Sequence, residues 1–302
     1  MEKIIKKLLI IGCGRLGQTA GKFLSKLPLE VIGIKRQLSK LNSPFKILAL
    51  DIFSDNFSDK NKLIDPDFLI YSVSSDFQTE ESYRKNYVEG LKITINAVDQ
   101  LKSFQHLFFI SSTRVYGQSY TNKVSGISEA IHRKDFFSEL TTPQPKDFGG
   151  RILLEAENCL NKLPFKTTIL RPSGIYGDDR RHMLRMASDL TKWPPEDRWT
   201  NRIHEEDVAS FINFLFTEII NNKEIKDLYL LTDNQPVSLY EVLEWIRIEL
   251  GLSLDKSPLP NANVINGKKL KSEILPKLKF SLKHSNYKSG YRQMISRIKK
   301  TN

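Results

Sequence analysis

Hydrophobic positions in the first third of the chain alternate between short continuous runs and runs with a three- to four-residue spacing. Short continuous runs are typical of buried strands, and the wider spacing is typical of one face of a helix. The predicted strands are Lys7–Ile11, Glu30–Ile34, Lys46–Leu50, Phe68–Ser72 and His106–Ser111, and the predicted helices are Leu16–Lys26 and Tyr83–Leu101. Strands that alternate with helices need crossover connections, which favour a parallel sheet covered on both faces.

The pattern is less regular after the fifth strand. The polar stretch Ser119–Asp147 and the proline-containing stretch Lys192–Arg202 are predicted to be loops. Further elements are predicted as a helix at Arg151–Leu163, a strand at Thr167–Leu170, a helix from Glu205 to Thr217, a strand at Leu228–Leu231 and a helix that ends at Leu250. Ser238 followed by Glu241 is a capping box, so we expect the last helix to begin there.

Composition excludes two classes of protein. The chain has 302 residues, of which 40% are hydrophobic and 27% are charged, which is unlike a disordered chain or a membrane bundle. The apolar run Leu8–Ile11 is too short for a secretory signal or a membrane span. Two cysteines cannot build a disulfide framework. We therefore expect a cytoplasmic protein that does not enter a membrane.

The net charge of +11 is concentrated in the sequence. Residues 256–302 carry 12 basic side chains against Glu273 alone, and the preceding residues balance to zero. Such an excess suggests an anionic partner, namely a phosphorylated metabolite or a nucleotide, although a solvated lysine-rich tail is the alternative. Three aromatic residues in this stretch are too few for a nucleic-acid stacking platform, so nucleic acid is not expected as the partner.

A glycine-rich turn carries the clearest chemical signal. Gly12-Cys13-Gly14-Arg15-Leu16-Gly17 directly follows the first predicted strand and opens the first helix. In this context Gly12 permits the tight turn, Gly14 lets backbone approach a pyrophosphate, and Gly17 lets the helix pack against the sheet. The helix N-terminus, where Arg15 and Leu16 lie, would face the phosphates. This pattern predicts dinucleotide binding.

The end of the second strand indicates which dinucleotide is bound. An NAD site usually has an acidic residue there, but this chain has Lys35 and Arg36. A guanidinium can bond a 2′-phosphate with two parallel contacts, whereas a carboxylate would repel it. We therefore predict NADP as the cofactor, with Arg36 as the main contact and Lys35 in support, while NAD stays possible.

With these motifs in place, the chain resembles the extended short-chain dehydrogenases/reductases, the NAD(P)-dependent epimerase/dehydratase group, and more closely its atypical members. The resemblance rests on Gly12–Gly17, Ser111–Gly117, Arg171–Gly177, Arg202–Ala209 and Gly267–Gly290, in that order along the chain. It implies an active-site serine at Ser112, which would bond the reacting carbonyl or hydroxyl. Other cofactor-binding positions implied by it are Asp51, Ile52, Ser72, Val73, Ser111, Pro172 and Ser173.

The family's proton-transfer pair is missing from the expected place. The family places a tyrosine four residues before a lysine on the helix after the fifth strand, and here those positions hold Gly149 and Leu153. Three readings stay open. The chain is an oxidoreductase or epimerase that recruits another acid (Tyr116, Tyr120 or His204), an enzyme that needs little acid–base help, or a catalytically silent NADP(H)-binding sensor or scaffold.

The resemblance also implies how the chain is divided. Residues 1–172 and 205–233 are predicted to form the nucleotide-binding Rossmann-like domain, a doubly wound parallel sheet. Residues 173–204 and 234–302 are predicted to form a second, smaller lobe that binds a phosphorylated or nucleotide-linked substrate. Many relatives dimerise, so a homodimer is possible. The five histidines show no metal-ligand spacing in the sequence, and no metal site is predicted.

Overall fold

The computed structural model describes residues 5–38, 43–117, 136–255 and 266–301. The chain divides into two compact units. Unit 1 comprises Met1–Val115, Pro145–Arg171 and Val208–Tyr229, and unit 2 comprises Tyr116–Gln144, Pro172–Asp207 and Leu230–Asn302. Tyr120 and most of the predicted loop Ser119–Asp147 lie outside the described residues.

The strands follow one another along the described chain with helices between them. They are Lys6–Ile11 (β1), Leu29–Lys35 (β2), Lys46–Ala49 (β3), Phe68–Tyr71 (β4), His106–Ile110 (β5), Lys166–Pro172 (β6), Gly174–Tyr176 (β7), Trp199–Thr200 (β8), Arg202–His204 (β9), Leu228–Leu231 (β10) and Val237–Ser238 (β11). The α-helices are Arg15–Leu24 (α1), Phe57–Ile64 (α2), Glu80–Tyr83 (α3), Gly90–Asp99 (α4), Phe148–Asn158 (α5), His182–Ser188 (α6), Glu205–Ile220 (α7), Leu239–Leu250 (α8) and Tyr287–Thr301 (α9).

A seven-stranded sheet has the order β10-β6-β5-β4-β1-β2-β3. The pairs β1–β2, β1–β4, β2–β3, β4–β5 and β5–β6 are all parallel. The chain builds outward from β1 in one direction and then from β4 in the other, so the strand order reverses between these two strands. This is the doubly wound, Rossmann-like arrangement that the sequence predicts, and ligands in such sheets bind at the reversal, beyond the carboxyl ends of the strands.

The central strands are apolar because both of their faces are covered. Every residue of β4 and β5 is buried, as are the last four residues of β1. On one face, Phe216 of α7 packs edge-on against Phe68 and contacts Phe108, with ring centroids 5.4 and 4.9 Å apart. Continuous apolar runs are therefore needed here, and they make these strands readable from the sequence.

The predicted helix Tyr83–Leu101 is interrupted. It consists of α3, a π-helical turn at Arg84–Glu89, and α4. The buried Tyr71 hydroxyl donates to the Asn86 carbonyl at 2.6 Å. It also occupies the space beside Gly90, where an added Cβ would lie 2.5 Å from the hydroxyl oxygen. A side chain inserted into the helical hydrogen-bond ladder is a known cause of such a break.

Unit 2 contains two small sheets and its own core. One sheet pairs β7 with β9 in parallel, and the other pairs β11 with β8 antiparallel. Helices α6, α8 and α9 contribute most of the core, and its members include Leu184, Val242, Ile246, Tyr291 and Met294. The predicted capping box is present: the Ser238 hydroxyl accepts from the Glu241 amide at 3.1 Å.

Across the described stretches of the chain, no helix combines the length and the apolar character needed to cross a membrane.

Candidate functional site: the carboxyl edge of the sheet

The glycine-rich turn is tightly packed at its first glycine. Gly12 has a φ of +74°, a region that L side chains rarely adopt, and an added Cβ would lie 2.6 Å from the Val73 amide nitrogen. The Ser72 amide in turn donates to the Ile11 carbonyl at 2.8 Å. The predicted residues Gly12, Ser72 and Val73 are therefore brought together, because β1 and β4 are neighbours.

Gly14 has space beside it, unlike Gly12. The nearest atom to an added Cβ at Gly14 is the Gly12 carbonyl oxygen, 3.8 Å away. Helix α1 begins directly after Gly14, and this N-cap residue supplies no side-chain hydrogen bond to the helix start. A helix start with backbone amides and no capping side chain suits a phosphate group. This is the cradle into which a pyrophosphate would fit, and a side chain at Gly14 would fill it.

The buried residues of the turn, Cys13, Leu16 and Gly17, pack against the rest of unit 1. An added Cβ at Gly17 would meet Ile10 Cγ2 at 3.1 Å, so α1 lies close against β1. Leu16 is buried, and only its backbone can face a ligand, whereas Arg15 is exposed. Burial raises the pKa of the Cys13 thiol to about 11, which keeps it protonated and unreactive at neutral pH.

Arg36 follows β2, as predicted, but its guanidinium already has a partner. It forms a two-pronged pair with Asp76, and the side chains are 57% and 36% exposed. This hydrogen bond lowers the pKa of the Asp76 carboxyl. Lys35 is half-buried beside it. A 2′-phosphate would therefore compete with Asp76 for Arg36, a competitor that lies 40 residues away in the sequence.

Asp51 and Ile52, the pair predicted after β3, differ in burial: Asp51 is partly exposed and Ile52 lies in the core. Asp51 is half-buried and its carboxylate caps a turn by accepting from the Phe53 amide at 3.0 Å. Ile52 is buried, and its Cδ1 would lie 2.6 Å from a Cβ added at Gly90. Ile52 thus belongs to the packing of α4, while Asp51 retains a polar face.

Ser111 directly follows β5, and its side chain is hydrogen-bonded to another residue of unit 1. Its hydroxyl donates to Glu157 Oε1 at 2.5 Å, and the same oxygen accepts from Arg171 Nε at 2.9 Å. The three residues are 6%, 3% and 5% exposed. A buried carboxylate with this charged partner and hydroxyl donor stabilises the junction of β5, α5 and β6. The Ser111 hydroxyl is used in this network, which the sequence did not reveal.

Ser112, the predicted active-site serine, is half-buried at the same edge of the sheet. Its hydroxyl oxygen accepts from the Arg114 amide at 3.2 Å. On α5, Gly149 and Leu153 occupy buried positions, and neither can transfer a proton. Arg114 lies at the same edge, and its Nη1 donates to the Tyr83 hydroxyl at 2.7 Å; neither residue is predicted as a site residue from the sequence.

Within unit 2, Pro172 and Ser173 are buried at the end of β6. The Ser173 amide donates to the Leu231 carbonyl at 2.8 Å. The Ser173 hydroxyl has no hydrogen-bond partner in the part of the chain that the structure describes. A buried hydroxyl without a partner is costly, so it is a group that a bound polar ligand or water would satisfy.

The ring of His204 packs against the ring of His284, a contact that the sequence spacing does not predict. Possible ligand atoms of His204, Glu206 and His284 lie within 4.8 Å of one another, and the two histidine rings are 3.9 Å apart. His204 Nδ1 accepts from the Glu206 amide at 3.2 Å and caps α7. The Glu206 carboxylate is also held by Lys283. These contacts favour a structural role over metal ligation, because the neutral ring then carries its hydrogen on Nε2.

Burial and the neighbouring His284 ring lower the pKa of His204 to about 4. The ring is therefore neutral at physiological pH. Among the candidate acids, Tyr116 is fully buried, and Tyr120 is outside the described residues.

The sheet order and the glycine turn that follows β1 are those of a Rossmann-like α/β protein. The family model of the 3-beta hydroxysteroid dehydrogenase/isomerase family matches residues 50–261. The chain belongs to this family, within the extended short-chain dehydrogenases/reductases, an NAD-binding, epimerase/dehydratase-like group.

Solved structures agree with this assignment. A protein from Methylobacillus flagellatus, provisionally assigned as an NAD-dependent epimerase/dehydratase, is 32% identical, with a TM-score of 0.82 over 98% of this chain and 99% of that one. UDP-glucose 4-epimerase from Brucella ovis in complex with NAD is 17% identical, with a TM-score of 0.76 over 97% and 98% of the chains. dTDP-glucose 4,6-dehydratase from Bacillus anthracis in complex with NAD is 14% identical, with a TM-score of 0.74 over 98% and 97%.

The last two similarities show the shared fold alone. No curated protein matches the chain in sequence.

Proposed function

We propose that the chain binds NADP and transfers hydride to or from a carbonyl or hydroxyl carbon of a small nucleotide-linked substrate, as an oxidoreductase or epimerase. The observation that carries the proposal is the turn before α1. Gly12 has a positive φ and no room for a side chain beside the Ser72–Val73 backbone, while Gly14 leaves open space at the start of the helix. The tight turn at Gly12 and the free space at Gly14 would together let a pyrophosphate approach the backbone amides at the start of α1.

The residues that would hold the coenzyme lie along the carboxyl edge of the sheet. The turn at Gly12–Gly17 would bind the pyrophosphate, Asp51 the adenosine end, and Ser72–Val73 the adjoining ribose. The bound coenzyme supplies or accepts the hydride, and the Ser112 hydroxyl would donate to the reacting oxygen.

The choice of NADP rests on the two cations after β2. Arg36 can bond a 2′-phosphate through two parallel contacts if Asp76 releases it. The exposure of both side chains allows that exchange at small cost, because exposed ion pairs contribute little to stability. The two distant structural neighbours above are complexes with NAD. The proposed preference for NADP therefore depends on the residues of the present chain and not on these neighbours.

The substrate class is inferred from chemistry and from neighbours. The two neighbours named above act on UDP- and dTDP-linked sugars according to their names. The present chain has a lysine-rich C-terminal stretch in unit 2, which suits a diphosphate-containing ligand. We therefore place a nucleotide-linked sugar first among the substrates to be tested.

Coenzyme titration tests the proposal. We expect NADPH to bind at least about tenfold more tightly than NADH, and Arg36→Ala to abolish that difference. Arg84→Ala is the matched control, since it also breaks an exposed arginine–carboxylate pair in unit 1 and should leave both affinities unchanged. Equal affinity of the unmutated chain for the two coenzymes would disprove the NADP assignment. Failure to bind either would disprove the proposal as a whole.

A coenzyme-binding sensor is the second candidate. It is favoured by one observation: the α5 positions that carry the proton-transfer pair in the family hold Gly149 and Leu153. Tight binding of NADPH, with no hydride transfer to a panel of nucleotide-sugars and activated carbonyls, would support the sensor. Turnover that depends on Ser112, lost in Ser112→Ala, would support the enzyme.

A further inference from the structure

The space beside Gly149 is occupied by a cation. An added Cβ at Gly149 would lie 2.4 Å from Arg114 Cζ and 2.5 Å from Arg114 Nη1. No side chain fits at this position while Arg114 keeps its conformation. The guanidinium therefore stands where a side chain from the start of α5 would otherwise project.

Arg114 is held in this place by groups on two helices. Its Nε donates to the Asp147 carboxylate at 2.9 and 3.1 Å, and Asp147 is the N-cap of α5. The guanidinium carbon lies 5.1 Å from the ring centre of Tyr83 and 5.3 Å from that of Phe148. These contacts fix the plane of the guanidinium, because the carboxylate and both rings restrain it.

Tyr83 completes the arrangement. Its hydroxyl oxygen accepts from Arg114 Nη1 at 2.7 Å, and the hydroxyl donates to Gln78 Oε1 at 3.1 Å. Only 7% of the residue is exposed. The Arg114 guanidinium fixes the position of this hydroxyl, and a phenol hydroxyl can both donate and accept a hydrogen bond, as a proton-transferring group must.

The pair lies at the edge where ligands bind in this class of sheet. Arg114 follows β5 and bonds Ser112 through its amide, while Tyr83 ends α3, the first helix after β4. Strands β5, β4 and β1 are adjacent, and β1 leads into the glycine turn. The π-helical turn begins at the residue after Tyr83, and such turns are frequent at functional sites.

We propose that Tyr83 is the proton-transferring residue of the reaction described under Proposed function, and that Arg114 is its positioning residue; the inference rests on that function. In the reducing direction, a bound reduced nicotinamide would supply a hydride to the carbonyl carbon, and the C=O π pair would move to oxygen. The Tyr83 O–H bond breaks and its proton goes to that oxygen. The phenolate, held by Arg114, then takes a proton from water. In the oxidising direction each transfer is reversed.

Another tyrosine of unit 1 shows what a purely structural hydroxyl looks like. Tyr71 is fully buried, donates to the Asn86 carbonyl, and has a pKa raised by burial. The Tyr83 hydroxyl differs because it accepts a hydrogen bond from the Arg114 guanidinium. The backbone amide of the same arginine donates to the Ser112 hydroxyl.

Hydride transfer from NADPH to phenanthrenequinone, an activated diketone, tests the role of Tyr83. General acid–base catalysis contributes roughly 10²- to 10⁴-fold, so Tyr83→Phe should reduce kcat at least about a hundredfold. Its affinity for NADPH should be unchanged. The matched control is Tyr87→Phe, one helical turn away, with its ring 5.2 Å from that of Tyr83. This control should keep kcat within about threefold, since no proton passes through Tyr87.

Three further measurements distinguish a proton-transfer role of Tyr83 from a purely structural one. Arg114→Lys should retain part of the activity and Arg114→Leu should not, and the pH dependence of kcat should flatten in Tyr83→Phe. Independently of turnover, tyrosine labelled at Cζ can be followed by carbon NMR. The resonance that is missing in Tyr83→Phe should move when NADPH is added, whereas the Tyr87 resonance should stay in place.

The outcomes are distinct for the two proposals. Loss of NADPH binding in the unmutated chain overturns the proposed function. If NADPH binds, any one of three results overturns the inference about Tyr83. The unmutated chain shows no turnover, or Tyr83→Phe has an unchanged kcat, or the Tyr83 resonance does not shift when NADPH is added. If Tyr83→Phe fails to fold, Arg114→Leu is the deciding variant, and an unchanged kcat in Arg114→Leu would overturn the inference.

Discussion

At the scale of single residues, Gly12 and Gly14 are glycines for different reasons. The fold itself requires glycine at position 12, because φ is +74° there and an added Cβ would lie 2.6 Å from the Val73 amide nitrogen. Gly14 has an ordinary negative φ of −76° and no close neighbour within the described protein. Its small size is therefore useful only to something that approaches from outside.

This difference gives a paired prediction. Gly12→Ala should reduce the free energy of unfolding by more than about 2 kcal/mol, from backbone strain and overlap with the Ser72–Val73 backbone. Gly14→Ala should change it by less than about 1 kcal/mol and yet weaken NADPH binding at least about tenfold. Urea unfolding and coenzyme titration measure the two effects. A Gly14→Ala variant with unaltered NADPH affinity would contradict the pyrophosphate cradle.

Single residues also show where sequence reasoning stops. Ser111 is predicted to line the cofactor site, but its hydroxyl is committed to Glu157, whose other contact is Arg171. Likewise Arg36 is predicted from its position after β2, but its partner Asp76 is not. These pairings join residues 14 to 46 positions apart through the fold, and no local pattern encodes them.

At the scale of elements, the strands could be predicted because burial on both faces imposes continuous apolar runs. Leu228–Leu231 is found as predicted, and Lys7–Ile11 is extended by one residue. Helix α9 was missed although Tyr287, Tyr291, Met294 and Ile295 have helical spacing and are buried, since lysines and arginines dominate its composition. The π-helical turn at Arg84–Glu89 was unpredictable, because its cause is the Tyr71 hydroxyl from another strand.

Strand β5 contains a titratable residue in an otherwise apolar run. His106 is 5% exposed, its Nε2 lies 2.9 Å from Thr168 Oγ1, and its ring stacks on Phe108. Burial lowers the pKa of His106 to about 4, from an ordinary value of 6.5. The folded chain therefore keeps this ring neutral in a pH range where the unfolded chain protonates it.

Stability should consequently depend on pH through His106. Above pH 6.5 the ring is neutral in both states; as the pH falls from 6.5 towards 4, only the unfolded state gains a proton, so the folded state loses stability. The loss is about 3 kcal/mol and levels off below pH 4. Urea unfolding of His106→Gln across this range should lack that component. The exposed His182→Gln should behave like the unmutated chain, and a His106→Gln profile identical to it would contradict the assignment.

At the scale of the whole molecule, the basic excess is less localised than the sequence suggests. Unit 2 holds 22 basic and 17 acidic side chains, and unit 1 holds 24 and 18, so their net charges are +5 and +6. Carboxylates from earlier in unit 2 pair with the C-terminal cations, as in Glu206–Lys283, Glu249–Arg292 and Asp178–Arg297. Charge alone therefore does not assign the anionic substrate to unit 2.

The division into two units can be tested with two ligands and one measurement. Unit 1 contains the glycine turn and Ser72–Val73, so NADPH should slow amide hydrogen exchange most strongly at residues 12–17 and 72–73. Uridine diphosphate, a fragment of the proposed substrate class, should instead slow exchange within 172–207 and 230–255, which belong to unit 2. Mass spectrometry of peptides from the two units reads both effects in one sample. Protection by uridine diphosphate at residues 12–17 alone would mean that the nucleotide fragment occupies the coenzyme site, and the assignment of substrate binding to unit 2 would be wrong.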